Sequence, residues 1–211
     1  MKTIENDKVV KVHYRGVFPE DDQEFDSSHG SEPLAFLVGH KQMIPGFERV
    51  ICLDEKTGRE LWVHDYPCGY TVSYPAGPRA TPTVDGDRVY TLGAEGNLFC
   101  LNAASGKVLW SKDFKKEYKV KSPVWGFTGH PLVRGGYLIC LARGEGSTAV
   151  CYDKLTGEEI WRNLSAREPG YSPPTIIHSG GVDQLIIWHP ESINSLNPDT
   201  GELYCTQPFK L

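Results

Sequence analysis

The sequence predicts an all-β protein, and three observations lead to this prediction. A nine-residue signature occurs four times, each time with a short apolar run before its turn and another after it. A proline-led run, a tight turn and a further apolar run precede three of these signatures. The signatures recur at similar intervals along the chain, at 54–62, 102–110, 153–161 and 197–205.

The signature has the pattern Asp/Asn-x-x-Ser/Thr-Gly-x-x-x-Trp, with Cys205 in the last tryptophan position. An Asp or Asn side chain can accept hydrogen bonds from backbone N–H groups two or three residues further on, and glycine takes the positive φ angle that ends the turn. Each signature therefore predicts a β-hairpin. The signature glycines are 48, 51 and 44 residues apart, a period that indicates a propeller or a similar array.

Each complete repeat predicts four strands, which make up one propeller blade. The first strand begins near a proline, as at Pro82, and Asp85-Gly86-Asp87 predicts the tight hairpin turn that follows it. We expect three full blades at about residues 79–110, 129–161 and 172–205, and the last hairpin of another blade at 49–62. The predicted fold is thus a partial β-propeller of about three and a half four-stranded blades, an open arc with unprotected edges.

Residues 1–48 lie outside the repeat and carry different motifs. These are Val12-x-Tyr14-x-Gly16, then Phe25-Asp26-Ser27-Ser28, and then Ile44-Pro45-Gly46-Phe47-Glu48. Taken together, they resemble the first half of FKBP-type peptidyl-prolyl cis-trans isomerases. The resemblance implies an incomplete FKBP-like β-sheet segment before the propeller.

The same resemblance implies an aromatic pocket that grips a prolyl ring and favours the twisted amide of the isomerisation transition state. It places six residues in that pocket: Tyr14, Phe25, Asp26, Met43, Ile44 and Phe47. For the apolar members, the alternative is simple core packing. The motif match ends at Glu48, and propeller sequence follows from Arg49. We therefore expect that any isomerase activity is impaired by loss of the second half of the fold.

Residues 49–205 resemble the quinoprotein-like (PQQ-like) propeller repeat. In that family the signature tryptophan docks against the neighbouring blade, which implies structural roles for the repeated residues. They are Asp54, Gly58, Trp62, Asn102, Gly106, Trp110, Asp153, Gly157, Trp161, Asn197 and Gly201.

The loops that precede the first strand of each blade are expected to meet on one rim of the propeller. Four residues of these loops are candidates for binding a ligand or a partner: Arg79, Trp125, His130 and Tyr171. The alternative is that the loop aromatics fill the junctions between blades.

Composition and cysteine positions bear on partners and cofactors. The net charge of −5 argues against a nucleic-acid partner, and no apolar run has the length of a membrane helix. The basic stretch 112–121 is expected to be a solvated loop. Cys52, Cys100 and Cys151 share one repeated position, which indicates packing thiols rather than disulfides or metal ligands. We predict no metal, because the sequence has no C-x-x-C, H-x-H or H-E-x-x-H pattern. We also predict no cofactor, since the adjacent cysteine pair of many quinone-dependent family members is missing.

Three classes of function stay open. The first is a non-enzymatic propeller scaffold that binds a protein or peptide, or associates with itself through its open edges. The second is a prolyl isomerase or folding helper, and the third is a fragment of a quinone-dependent dehydrogenase. The first residues lack the apolar core of a signal peptide, so a cytoplasmic location is expected.

Overall fold

The computed structural model describes residues 9–12, 15–17, 24–27, 34–37, 47–69, 71 and 79–209. The chain divides into two compact units, Met1–Met43 and Ile44–Leu211. Within the described residues, regular structure consists of antiparallel strands and one single-turn helix. The all-β prediction is therefore confirmed.

In the first unit, the described backbone forms four short strands in two antiparallel pairs. Their bounds are β1 (Val9–Val12), β2 (Arg15–Val17), β3 (Glu24–Ser27) and β4 (Leu34–Leu37). β1 pairs with β4, and β2 pairs with β3. Of the predicted motifs, Phe25-Asp26 lies within β3.

The second unit begins with a single β-hairpin, here called the half blade. It consists of β5 (Phe47–Leu53) and β6 (Glu60–Pro67), which pair along their whole length. The hairpin is longer at both ends than the predicted 49–62, because its strands continue beyond the signature.

Three four-stranded antiparallel sheets follow, each with its strands in chain order. The second blade contains β7 (Thr83–Asp85), β8 (Arg88–Leu92), β9 (Asn97–Asn102) and β10 (Val108–Asp113). The third contains β11 (Leu132–Arg134), β12 (Tyr137–Leu141), β13 (Ala149–Asp153) and β14 (Glu159–Asn163). The fourth contains β15 (Thr175–Ser179), β16 (Val182–His189), β17 (Ser192–Leu196) and β18 (Leu203–Pro208). The predicted partial propeller of three and a half blades is confirmed.

A β-bulge recurs in every signature hairpin and determines where the tryptophan points. In the second blade, Leu101 pairs with Val108 but Cys100 pairs with Trp110, so Leu109 is the extra residue. Without the bulge, Leu109 would stand opposite Cys100, because strand side chains alternate between the two faces. The bulge therefore brings the tryptophan onto the face that meets the next blade, and leaves Leu109 exposed.

The hydrophobic core consists of layers between successive blades. In β12, Leu138 and Cys140 belong to the layer shared with the second blade, whereas Ile139 and Leu141 belong to the layer shared with the fourth. All four side chains are buried. This alternation follows from the two-residue period of a strand, and it makes the third blade apolar on both faces.

A single helical turn, α1 (Phe114–Glu117), replaces part of the loop expected at 112–121. The carboxylate of Asp113 caps it by accepting a hydrogen bond from the backbone N–H of Lys116 at 3.2 Å. Phe114 is fully buried and packs edge-on against Phe127, with ring centroids 5.6 Å apart. The expected solvated loop is corrected at this point, because Phe114 is buried and anchors the basic stretch in the core.

Every cysteine in the described residues is a free thiol. Cys100 and Cys151 are buried in the layers between blades, where burial raises the pKa of Cys100 to about 11. Cys52 is only half-buried, although it occupies the same repeat position. Because the half blade has two strands instead of four, Cys52 has fewer neighbours to cover it.

Candidate functional site

Each of the three signature tryptophans lies against the signature glycine of the next blade. The pairs are Trp62 with Gly106, Trp110 with Gly157 and Trp161 with Gly201. A Cβ atom on Gly106 would lie 2.6 Å from Cε3 of Trp62, and one on Gly157 would lie 2.8 Å from Cε3 of Trp110. These glycines also have positive φ angles. The position therefore requires glycine both for space and for backbone conformation.

Two indole N–H groups donate hydrogen bonds across the same interfaces. Nε1 of Trp62 donates to the carbonyl oxygen of Ala103 at 2.8 Å, and Nε1 of Trp110 donates to that of Lys154 at 3.2 Å. The hydroxyl of Tyr90 donates to the Lys154 carbonyl as well, at 3.0 Å. Both acceptors directly follow the signature Asp or Asn. In these two interfaces the turn thus supplies a polar partner for a partly buried indole.

The Asp or Asn that opens each signature holds its own turn together. Oδ1 of Asp54 accepts hydrogen bonds from the hydroxyl and the backbone N–H of Thr57, at 2.7 and 2.8 Å. These bonds hold the pKa of Asp54 below its ordinary value. Asn102 and Asn197 close their turns in the same way. The backbone N–H of Gly58 donates to the Asp54 carbonyl at 2.8 Å and completes the turn.

Asp153 opens the third of the full-length signatures with the same arrangement. Its Oδ1 accepts hydrogen bonds from the backbone N–H groups of Leu155 and Thr156, at 2.9 and 2.8 Å. These bonds lower the pKa of Asp153 from its ordinary value, the bond from Thr156 being the larger cause.

Three of the four candidate loop residues lie together. The guanidinium of Arg79 donates a hydrogen bond to the carbonyl oxygen of Trp125. The hydroxyl of Thr128 donates to the carbonyl oxygen of Tyr171 at 3.5 Å, and the Tyr171 hydroxyl interacts with the backbone of Trp125. The side chains of Trp125 and Tyr171 are 42% and 40% exposed. We call Arg79, Trp125 and Tyr171 the rim cluster; His130 is half-buried and makes none of these contacts.

A buried carboxylate behind the rim was not predicted from the sequence. Glu95 is 1% exposed and accepts hydrogen bonds from Nζ of Lys115 at 2.6 Å and from the backbone N–H of Thr71 at 2.5 Å. The hydroxyl of Ser122 donates to it as well. Burial alone would raise the pKa of Glu95, but these donors together lower it to about 2. Glu95 therefore joins α1 to two loop segments as a charged anchor.

Arg143 is a second loop anchor that the sequence did not reveal. Its guanidinium donates hydrogen bonds to the carbonyl oxygens of Ser122 at 3.1 Å and of Arg167 at 2.6 Å. It also forms an ion pair with Glu168 at 2.9 Å. The one signal in the sequence was its position in the bend after the middle strand, which corresponds to the bend that holds Glu95 in the second blade.

For most of the candidate residues of the prolyl pocket, the structure describes no side chain. Tyr14, Met43 and Ile44 are not among the described residues. The backbone of Phe25 and Asp26 lies in β3, and that of Phe47 begins β5. Their assignment to a prolyl pocket stays a prediction.

The described residues contain no group of three or more His, Cys, Asp or Glu side chains placed to hold a metal ion. In the same residues, no helix is long and apolar enough to cross a membrane.

Four-stranded blades whose tryptophans dock on the glycine of the next blade define a β-propeller. The chain belongs to the family of the outer membrane protein assembly factor BamB, whose family model matches residues 46–207. The model of FKBP-type peptidyl-prolyl cis-trans isomerases matches residues 1–82. Both resemblances expected from the motifs are thereby confirmed. The isomerase match continues past Glu48, so the two matches overlap, and a boundary at Glu48/Arg49 stays a prediction.

Individual relatives agree with both matches. The chain is 41% identical over 59 residues to FK506-binding protein 2 of Aspergillus fumigatus, a stretch that covers 26% of this chain and 43% of that protein. The crystal structure of BamB from Moraxella catarrhalis is similar with a TM-score of 0.54 and 19% identity, over 75% of this chain and 46% of BamB. The quinohemoprotein alcohol dehydrogenase from Comamonas testosteroni has a TM-score of 0.55 and 20% identity, over 76% of this chain and 32% of the enzyme. The two structures establish the fold alone, and the chain spans less than half of each of these three relatives.

Proposed function

We propose that this chain is a protein-binding propeller module that holds another polypeptide at its rim cluster. The observation that carries the proposal is the exposure of Trp125 and Tyr171 beside Arg79 on adjoining loops. Trp, Tyr and Arg are the residues that most often dominate binding energy at protein interfaces. Glu95 and Arg143 anchor the loops behind them, so that the aromatic side chains need little ordering when a partner binds.

The family matches support the same class of partner from both ends of the chain. The propeller family is described as an assembly factor of outer membrane proteins, and the N-terminal family as peptidyl-prolyl isomerases. Both descriptions refer to proteins that act with or on other polypeptides. A polypeptide partner therefore agrees with both family matches.

The test measures binding of fluorescent extended peptides with alternating aromatic and polar residues, by fluorescence anisotropy. We expect saturable binding by the full chain. Trp125→Ala should weaken it by about tenfold or more, because loss of an aromatic hot spot costs about 2 kcal/mol or more. Trp188→Ala is the matched control, since Trp188 is 53% exposed but lies in β16, outside the rim cluster. Equal losses from both variants, or no saturable binding across the peptide panel, would contradict the proposal.

Prolyl isomerisation is a second candidate, favoured by the 41% identity to FK506-binding protein 2. The reaction has an uncatalysed barrier of ~18–20 kcal/mol. We expect little acceleration of a prolyl test peptide, because only part of the isomerase sequence pattern is present. Strong acceleration that Asp26→Ala or Phe47→Ala abolishes would instead favour the isomerase over the binding module.

A further inference from the structure

The blades meet through one interface that the chain makes three times. In each case the face with the signature tryptophan, the docking face, packs on the face with the signature glycine of the next blade, the receiving face. Between the third and fourth blades, for example, Ile139 and Trp161 of the docking face share a core layer with Leu185 and Leu196 of the receiving face. Each interface therefore joins two different surfaces in a fixed direction along the chain.

The half blade has a receiving face with no blade on it among the described residues. Leu53 is 54% exposed, whereas Leu101, Tyr152 and Leu196, which occupy its position in the other blades, are fully buried. A Cβ atom on Gly58 would meet nothing within 4 Å, although the other three signature glycines are each covered by an indole. Gly58 is thus a signature glycine that no tryptophan ring covers.

The fourth blade has the complementary defect on its docking face. Trp188 is 53% exposed, whereas the equivalent Leu92 and Leu141 are buried. Cys205 is exposed and stands where the other signatures have tryptophan. It pairs with Ser195 just as Trp161 pairs with Cys151, so the position faces the same way. At its signature position, this docking face lacks the ring that the other three docking faces provide.

We propose that the two open faces bind each other in a second copy of this chain, with the fourth blade of one copy packed head-to-tail on the half blade of the other. They are the unmatched halves of an interface that the chain already forms three times. The chain also spans 46% of the structurally similar BamB, so two copies amount to about one ring of that size. Two such contacts related by a twofold axis close on themselves.

The inference rests on the blade geometry and not on the proposed peptide binding. Because Cys205 leaves the space over Gly58 unfilled, the association of the natural chain is weak. Restoring the ring should strengthen it. The decisive variant is therefore Cys205→Trp, followed by sedimentation velocity over a range of concentrations under reducing conditions.

We expect Cys205→Trp to raise the association constant of the dimer by about tenfold or more. A tryptophan buried at the centre of an interface contributes an affinity of this size. Adding Gly58→Ala should cancel this gain, because the new Cβ atom would clash with the incoming indole. Adding Gly86→Ala instead should leave the gain intact. Gly86 also has a positive φ angle, and a Cβ atom on it would meet nothing within 4 Å. The two alanines therefore impose similar backbone strain and differ only in location.

A second pair of variants tests the natural chain without relying on the folding of Cys205→Trp. Leu53→Lys should abolish residual self-association, whereas Val84→Lys, at a position 66% exposed in the second blade, should leave it unchanged. A folded Cys205→Trp chain that associates no more tightly than the natural one would overturn the inference. So would a gain that survives Gly58→Ala as well as it survives Gly86→Ala. Peptide binding lost with Trp125→Ala but dimerisation retained would show that the two proposals stand or fall separately.

Discussion

The indole of Trp110 covers Gly157 of the next blade so closely that a Cβ atom on this glycine would lie 2.8 Å from the ring. The same indole donates a hydrogen bond to the carbonyl oxygen of Lys154, three residues before the glycine. One signature therefore supplies the ring, and the next supplies both the space and the polar acceptor. This relationship links blade stability to the spacing of the signature itself.

Removing a docked tryptophan should destabilise the propeller. Trp161 is 9% exposed and packs on Gly201, so Trp161→Ala should lower the free energy of unfolding by about 3–5 kcal/mol. The control Trp188→Ala removes an indole that is 53% exposed and should change stability by much less. Urea unfolding followed by circular dichroism measures both. Similar losses for the two variants would contradict a docking role for Trp161.

The glycine side of the contact gives a separate prediction. Gly157→Ala should cost the strain of a positive φ angle, about 1–2 kcal/mol, plus about 1–3 kcal/mol for the clash with Trp110. Gly135→Ala has a similar backbone angle and nothing within 4 Å, so it should cost the backbone strain alone. Thermal unfolding of the two variants compares them directly. Equal melting temperatures would mean that the indole moves aside without cost.

Local turn chemistry made most of the propeller predictable. The side chain of Asp54 and the positive φ angle of Gly58 act within one loop, and the repeat spacing places the following strands. Glu95 and Arg143 escaped prediction because their partners are distant in the sequence, such as Ser122 for both. The burial of Phe114 was not predicted, because the lysines around it made the whole stretch resemble an exposed loop.

The buried carboxylate of Glu95 should make the free energy of unfolding depend on pH in the acidic range. Its pKa in the folded chain is about 2, below the ordinary value of about 4.3 for glutamate, so the unfolded state takes up the proton first. The stabilisation, about 3 kcal/mol, is present above pH ~4.5 and is lost as the pH falls towards 2. Glu95→Gln should therefore flatten the decline in unfolding free energy between pH 5 and 2. An unchanged slope would contradict the assigned role, and Glu117→Gln, at an exposed position of α1, is the control.

A buried histidine in the fourth blade predicts a second pH effect, in a higher range. His189 is 4% exposed; burial lowers its pKa, and nearby Glu191 opposes this only in part. The unfolded chain therefore binds a proton near the ordinary histidine pKa of about 6.5, while the folded chain still excludes it. Stability should fall as the pH drops from 7 to 5.

The measurement is urea unfolding of the natural chain and of His189→Gln at several pH values in that interval. The natural chain should lose stability as the pH falls through this interval, and the His189→Gln variant should lose less. At pH 7 the substitution itself lowers stability, because it disturbs the hydrogen bond of 3.1 Å between Nε2 of His189 and the Ser192 hydroxyl. His178→Gln is the matched control, because the His178 side chain is 69% exposed. If His178→Gln flattened the pH dependence and His189→Gln did not, the buried ring would not be the source of the effect.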